Sequence, residues 1–558
     1  MFNSSTLSVH TLLPSQIESA AQQLVQESMA DPWGSVSPAI YDTARVLLLP
    51  PALQPEGSLD FILRNQNDDG SWGGPSAYCL VPSLAATASL LHLTLKAARK
   101  EESDGDANQV SLAALRSLEF LVSALRETTV LPDTVAIELI VPALVEEIAT
   151  TLAMLSDVSA HYPTHKTSSF WLNVQECLGI TLPPQDMGCL ARLRTAVRLS
   201  KPLPVHISHY LEVLGSDLDY VTTIHEVNGA FGGSPAATAA MLARSHAPQE
   251  RSLAYLSEMA TRLNGAQPDV LPITTFERAW IVSYLLQAGV PLPTDLTRAA
   301  VAYFRACLGS RGACGGEGLP PDSDDSSLLL SILSDLGYPV EPTCLLLYEA
   351  DTFFRCYYSE ERTPSVGANA HILEAFGSYM ARCPLSVPTY RAGAVKISDY
   401  LLSVQQENGS WLDKWHASPY YGTACSVLAL QRFGVGDTTP ALDRALAWVL
   451  GTQRDNGSWG LWYGTLEETA HALRMLLLVG QAEDAGAVRQ AVLRGERFLT
   501  KHLDALPSDP VRTPLWHGKE LYEPGRVVRA VILSALYLCA TQSNAWSAAQ
   551  EDQVGCAA

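Results

Sequence analysis

Three carboxylates fall within four positions at Asp322-Ser323-Asp324-Asp325, directly after Pro320-Pro321 and ahead of the mostly apolar run Leu328 to Leu333. Prolines end a preceding helix and an Asp before an apolar run starts one, so the spacing predicts all three acids in a helix's first turn. Two plain uses exist for such a turn: an N-cap with acids on the helix dipole, or carboxylates sharing a divalent cation. The third use is Brønsted acid chemistry. Like charges this close cannot all ionise at low cost, and burial raises that cost, so one carboxyl would keep its proton near neutral pH.

The elements that must position these acids are helical. A 3.6-residue periodicity runs through SQIESAAQQLVQESM, TFERAWIVSYLLQAG, TLEETAHALRMLLLVGQ and RVVRAVILSALYL, separated by short Gly, Pro, Asn and Asp clusters, and nothing sustains strand alternation. The expected fold class is all-α. One short pattern also returns in register: Gln66-Asn-Asp-Asp-Gly70-Ser-Trp72-Gly73, Gln405-Gln-Glu-Asn-Gly409-Ser-Trp411 and Gln453-Arg-Asp-Asn-Gly457-Ser-Trp459-Gly460, with a degenerate copy at His225-Glu-Val-Asn-Gly229-Ala-Phe231-Gly232. Each copy couples a turn dipeptide tolerant of positive φ to a large aromatic, just before an Ala- and Leu-rich helix. Read alone, a copy is a well-made loop; in this series the Gln would satisfy a free helix end while the aromatic covers it.

Composition removes several function classes. At 558 residues and 47% hydrophobic the chain can bury a large core, and 37 basic against 58 acidic residues leave a net charge of −21. That balance excludes nucleic acid or an anionic bilayer as the main partner. Eleven scattered cysteines, odd in number and without a CxxC pair, point to reduced thiols and a cytoplasmic location. The first residues, MFNSSTLSVHTLLPSQ, lack the features of a secretory or transit peptide, and the apolar stretches read as buried helices rather than as an integral membrane segment.

Repeats and acid element together resemble the QW repeats and DxDD motif of the class II terpene cyclases, whose helices form α/α-barrels. Ser37-Pro-Ala-Ile-Tyr41-Asp42-Thr43-Ala44, Glu138-Leu-Ile-Val-Pro142, Thr275-Phe276-Glu277-Arg278-Ala279-Trp280, Ala368-Asn369-Ala370-His371, Trp411-Leu-Asp413-Lys414-Trp415-His416 and Leu515-Trp516-His517-Gly518-Lys519-Glu520-Leu521-Tyr522 are similar to segments of class II diterpene cyclases. The resemblance implies that Asp324 protonates an alkene, that Asp322 and Asp325 hold its geometry, and that Asn369 hydrogen-bonds its carboxyl group. It implies that His209, in Ser208-His209-Tyr210-Leu211-Glu212, helps remove the final proton; its partner position is Asp269, where Asn is expected. Lys201, Lys519 and Arg526 would hold the diphosphate, and Trp411 and Tyr420 would be further substrate-binding residues. Mg²⁺ is implied as cofactor without identifiable ligands, because Pro75 to Pro82 after the first repeat carries no carboxylate.

The expected architecture is two barrels. Residues 1–50 and 278–558 would form the β-like barrel carrying the acid, and 51–277 an inserted γ-like barrel; no DDxxD motif signals a class I domain. The activity implied is protonation-initiated bicyclisation of geranylgeranyl diphosphate to a copalyl-type or related labdane or halimane diphosphate, with the diphosphate retained for a separate class I synthase or a phosphatase. The alternatives are a drimenyl-type synthase acting on farnesyl diphosphate and a non-catalytic isoprenoid-binding toroid.

Overall fold

The computed structural model describes residues 13–555, apart from 101–104, 129, 162–167, 202, 222–223, 245–248, 359–360, 362, 481–484 and 506–508. The leader reading over residues 1–12 therefore lies outside the described residues. Helices supply nearly all regular structure, and the strands are two-residue pieces in three antiparallel pairs: β1 (Pro38–Ala39) with β2 (Gln267–Pro268), β3 (Ala313–Cys314) with β4 (Pro321–Asp322), and β5 (Trp516–His517) with β6 (Leu521–Tyr522).

The buried side chains form two cores. After the N-terminal helix α1 (Pro14–Ala30), the smaller core is enclosed by a ring of packed elements. Helix α2 (Ile40–Val46) packs on α3 (Leu80–Lys100), α3 on α4 (Ile137–His161), α4 on the 3₁₀ turns of Val205–Tyr220, these on α5 (Pro235–Arg244), and α5 on α2. Six helices close the ring of the larger core: α6 (Thr274–Gln287), α7 (Ser323–Asp335), α8 (Val366–Arg382), α9 (Pro419–Phe433), α10 (Leu466–Val479) and α11 (Gly525–Gly555), with α11 returning to α6. Inner helices must be buried all round, and α8 is buried without a break from Val366 to Ser378. Helix α2 serves both cores, since Tyr41 and Ala44 face the smaller and Val46 the larger. Residues 51–277 likewise contribute to both, Trp72, Leu84 and Phe231 among them on one side and Tyr255, Met259 and Ile273 on the other.

The three repeats act as identical clamps. Each Gln side chain donates to the carbonyl of its own repeat glycine and to a second carbonyl on a neighbouring helix, Ala113, Ala441 or Ala491, at 2.8 to 3.0 Å. Each indole is fully buried and donates at 2.7 Å to a last-turn carbonyl of the preceding helix, Ile62, Leu401 or Val449. These bonds close off backbone groups a helix end leaves unpaired. The glycines have φ near +90°, and a Cβ on Gly70 would come within 2.5 Å of the Arg116 carbonyl.

Among the described residues two helices, Ser76–Lys100 and Ile137–Ala160, are long and apolar enough to cross a membrane. Their apolar windows are 78% and 61% buried within the protein, so the fold already uses these faces. The ten described cysteines are all free.

Candidate active site

Asp322 caps α7: its Oδ1 accepts the Asp325 N–H at 2.7 Å, so Asp324 and Asp325 occupy the first turn as the sequence predicts. The loop ahead of β4 approaches the acids closely, and a Cβ on Gly315 would lie 2.8 Å from Asp325 Oδ2. All three carboxylates are buried. Burial, aided by the Asp324 charge and opposed by hydrogen bonds from Asp325, pushes Asp322 up to about 7. Burial and the neighbouring Asp322 and Asp324 charges hold Asp325 well above the usual carboxylate range. This is the proton-retaining cluster that like charges in a dry site produce.

Asp324 Oδ1 lies 2.6 Å from His371 Nδ1 on α8. Burial works against a charged imidazole, but the Asp324 carboxylate holds His371 well above its ordinary value. This corrects the expectation for Asn369. Its amide donates to the Phe354 and Ser365 carbonyls and accepts the Phe354 N–H, so it braces the 354–356 loop, whose Cys356 carbonyl accepts the Ser323 N–H at 2.9 Å. Two positions along a helix separate Asn369 from His371, and that rotation decides which of them meets the acid.

The acids open onto a cavity of about 310 Å³ lined from both cores. Its walls are aromatic. Phe276 and Trp280 lie 4.3 Å apart between ring centres, Trp516 meets Phe276 edge-on at 5.3 Å, and Tyr357, Trp415 and Tyr522 complete the lining. Such π-faces attract a cation without trapping it as a nucleophile would.

His209 also lines this cavity. Its Nδ1 donates to the Gly232 carbonyl at 2.8 Å, which leaves Nε2 as the basic nitrogen, 3.8 Å from Asp269 Oδ2. Gly232 makes the approach feasible, since a Cβ there would strike the His209 backbone nitrogen at 2.5 Å. Asp269 Oδ1 accepts the Lys519 N–H at 2.9 Å, and although burial opposes it, His209 and Lys519 hold Asp269 below its ordinary value.

Five expected substrate contacts lie elsewhere. Lys519 is fully buried; its ammonium pairs with Asp42 at 2.7 Å and donates to Ser234 Oγ, so it welds the N-terminal segment to the C-terminal one. Arg526 is engaged by Asp31 and Glu277 at 3.0 and 3.1 Å. Lys201 is exposed after the helix Gly188–Arg198 and is absent from the lining. Trp411 is a repeat clamp, and Tyr420 packs on Trp448 at 4.6 Å. The signal for both was aromaticity, which core and site share. Among the described lining residues the one lysine or arginine is Lys414, whose ammonium lies 5.0 Å from the Trp415 ring centre, with His206 and His517 nearby. Burial and then the Lys414 charge lower His206.

No cluster of three or more His, Cys, Asp or Glu side chains that could hold a metal ion occurs among the described residues. The segment 75–82 offers none either, and Arg45 in α2 is paired with Glu147 at 3.0 Å. The donors among the described residues therefore do not make an all-protein Mg²⁺ site.

Comparisons with known proteins agree over most of the chain. Residues 362–492 match the squalene-hopene cyclase C-terminal domain family. The chain is 38% identical to an ent-copalyl diphosphate synthase of Streptomyces sp. (strain KO-3988), covering 93% of this chain and 96% of that one. It is 36% identical to the labda-7,13-dienyl diphosphate synthase of Streptomyces clavuligerus, covering 94% and 93%. The structure of ent-copalyl diphosphate synthase from Streptomyces platensis superposes with a TM-score of 0.83 at 36% identity, covering 94% of this chain and 99% of that one.

Proposed function

This chain belongs to the class II diterpene cyclases, isomerases with two helical barrels, and from that premise we propose that it folds geranylgeranyl diphosphate in its aromatic cavity and closes two rings to a copalyl-type diphosphate. Asp324 is the acid. Its Oδ1 is occupied by His371, so the proton leaves from Oδ2 to the terminal alkene carbon, and the imidazolium compensates the negative charge that develops on the carboxylate. Asp322 and Asp325 fix the turn and keep protons in the cluster; Asn369 positions the loop that caps it. Phe276, Trp280 and Trp516 stabilise the ring cations.

The cascade ends when a base removes a proton, and His209 Nε2 is placed to take it, with Asp269 stabilising the imidazolium. The diphosphate stays on the product. We assign its anchoring to Lys414, with His206 beside it, instead of Lys201, Lys519 or Arg526. Any Mg²⁺ would be carried mainly by the diphosphate, with at most one or two carboxylates from the cavity rim. Replacing Lys414 by Ala removes a charge-assisted hydrogen bond, and KM rises by roughly ten-fold or more with a smaller change in kcat.

The single observation that supports this reading is the buried Asp322–Asp324–Asp325 cluster, paired to His371, on the wall of an aromatic cavity. Incubation with geranylgeranyl diphosphate, phosphatase treatment and product identification by mass spectrometry and NMR test it. A bicyclic alcohol from the wild type that disappears in Asp324→Ala supports it; unchanged substrate with wild-type protein rejects it.

A further inference from the structure

Three indoles line the main cavity, and their N–H groups meet different partners. Trp415 Nε1 is buried with no hydrogen-bond partner among the described residues. Trp280 Nε1 donates to the Tyr421 hydroxyl at 3.4 Å, a long bond to a neutral oxygen. Trp516 Nε1 instead donates at 2.8 Å to Oε1 of Glu467, a buried carboxylate near the start of α10. Glu467 itself is absent from the cavity lining.

Among the described residues no lysine or arginine pairs with that carboxylate; its partners within 4.0 Å are two imidazoles, His416 at 3.3 Å and His471 at 4.0 Å. His416 Nδ1 accepts the Ser418 N–H at 3.0 Å, so the ring proton sits on Nε2 and is donated to Glu467 Oε1 as a neutral hydrogen bond. Burial and then the Arg474 charge hold His471 well below its ordinary value. Neutral N–H donors from Trp516 and His416 thus converge on one acceptor oxygen, and the negative charge stands at the indole without a paired cation.

Trp516 is fixed in place. The Ala417 N–H donates to the Leu515 carbonyl at 2.8 Å and the His517 N–H to the Trp415 carbonyl at 2.9 Å, tying its backbone on both sides. Its ring lies nearly perpendicular to those of Phe276, Trp280 and His416, with centres 5.3, 6.3 and 5.2 Å away. Trp280 adjoins the acid pair, its ring centre 5.6 Å from that of His371. Two residues beyond Trp516, Gly518 abuts the other pair, since a Cβ there would strike the Asp269 carboxylate. Trp516 therefore stands between the acid end and the base end of the cavity. A cation is drawn to an aromatic face by the ring's quadrupole, and a carboxylate on the indole N–H strengthens that face through electron density pushed into the ring and through its own field.

We propose that Glu467 is a positioning residue for the cyclisation: held on the Trp516 N–H, it makes this indole the strongest of the three for a carbocation and so fixes where the ring cation rests between protonation and proton loss. The inference rests on the cyclase reading. Glu467 acts through Trp516 and touches neither substrate nor the reacting carbon. The uncharged hydrocarbon of substrate and product gains little from it, so its effect falls on the cations and on the transition states that resemble them.

A mutant cycle with Trp516→Phe, whose ring has no N–H, tests this. In Glu467→Gln, which keeps an oxygen acceptor for the indole, kcat on geranylgeranyl diphosphate falls by about ten-fold with KM unchanged. In the Trp516→Phe background the same substitution lowers kcat by less than about two-fold. An ammonium analogue of the bicyclic diphosphate, standing in for the ring cation, inhibits Glu467→Gln about ten-fold less strongly than wild type, while the bicyclic diphosphate without the ammonium inhibits both equally. Glu467→Asp keeps the charge but draws it back by one methylene; its smaller loss also vanishes in Trp516→Phe and carries the test should Glu467→Gln melt below the assay temperature. A loss undiminished in the Trp516→Phe background, equal weakening of the two inhibitors, or no loss of kcat in the folded variants overturns the inference. A wild type that forms no bicyclic product overturns the cyclase reading instead.

Discussion

Two carboxylate–imidazole pairs meet the same cavity, one through Asp324 alone and the other through both partners, and they differ in what stands behind them. Asp324 and His371, 2.6 Å apart, come from the larger core and are backed by two more buried carboxyls, Asp322 and Asp325. His209 and Asp269, 3.8 Å apart, come from the 3₁₀ turns of the smaller core and the segment after β2, and are backed by Lys519. Burial and negative neighbours hold protons on Asp322 and Asp325 behind the first pair; behind the second, although burial opposes it, His209 and Lys519 hold the Asp269 carboxyl below its ordinary value. The same side-chain types thus stand against opposite charge, the contrast on which the proposed division into acid and base rests.

The largest effect expected from breaking this contrast is at the acid. Asp324→Ala removes the donor, and turnover of geranylgeranyl diphosphate falls by about 10⁴-fold, to the background of the assay. His371→Phe keeps the ring's bulk but leaves the developing carboxylate without its cation, and kcat falls by about 10²–10³-fold with little change in KM. A variant in which His371 proves dispensable would mean that Asp324 draws its acidity from Asp322 and Asp325 alone.

Acid concentration within the cluster predicts a pH dependence of definite sign. Asp322 is raised from its ordinary value to about 7 in the folded protein, so its proton stays on below that pH and is lost as pH rises through it. Losing it adds a negative charge beside Asp324 and Asp325. Turnover therefore declines on the alkaline side of about 7, and in Asp322→Asn, which can still cap α7, that limb disappears from the kcat profile whatever the residual rate. The same ionisation costs stability: a carboxyl whose folded value is raised contributes fully below its unfolded value and loses that contribution as pH climbs to about 7.

What the sequence made legible follows from range. The acid turn and the three clamps are local patterns, and Asp322, Asp324, Asp325 and the Gln–Trp pairs stand where spacing predicts. Non-local facts were hidden. Lys519 and Asp42 are far apart in the chain yet meet inside the protein, so a lysine that reads as a phosphate anchor is an internal strut. His371 lies beside Asn369 in a helix buried on every side, where periodicity gives no inward face to choose from. Lys414, next to Trp415 in the motif, reads as one more surface cation until the cavity lining is known. His209 was singled out because its neighbours match a recurring segment, and Asp269, the departure from that pattern, lies 3.8 Å from its Nε2 on the same cavity.

The smallest effect on rate, and the sharpest test of the contrast, is expected at Asp269. In Asp269→Asn the Lys519 N–H keeps an oxygen acceptor and the side-chain volume hardly changes, so the fold should stand. The imidazolium formed when His209 takes the last proton, however, loses its counter-ion. Protonation and ring closure, governed from the other end of the cavity, continue, and substrate consumption stays within about ten-fold of wild type. The ring cation then lives longer, loses its proton from a different carbon or is captured by water, and the product mixture gains a second double-bond isomer or a hydroxylated diphosphate, read by mass spectrometry and NMR after phosphatase treatment. Loss of consumption as deep as in Asp324→Ala, with no new product, would mean that the two pairs act as one unit and that the division into acid and base ends is wrong.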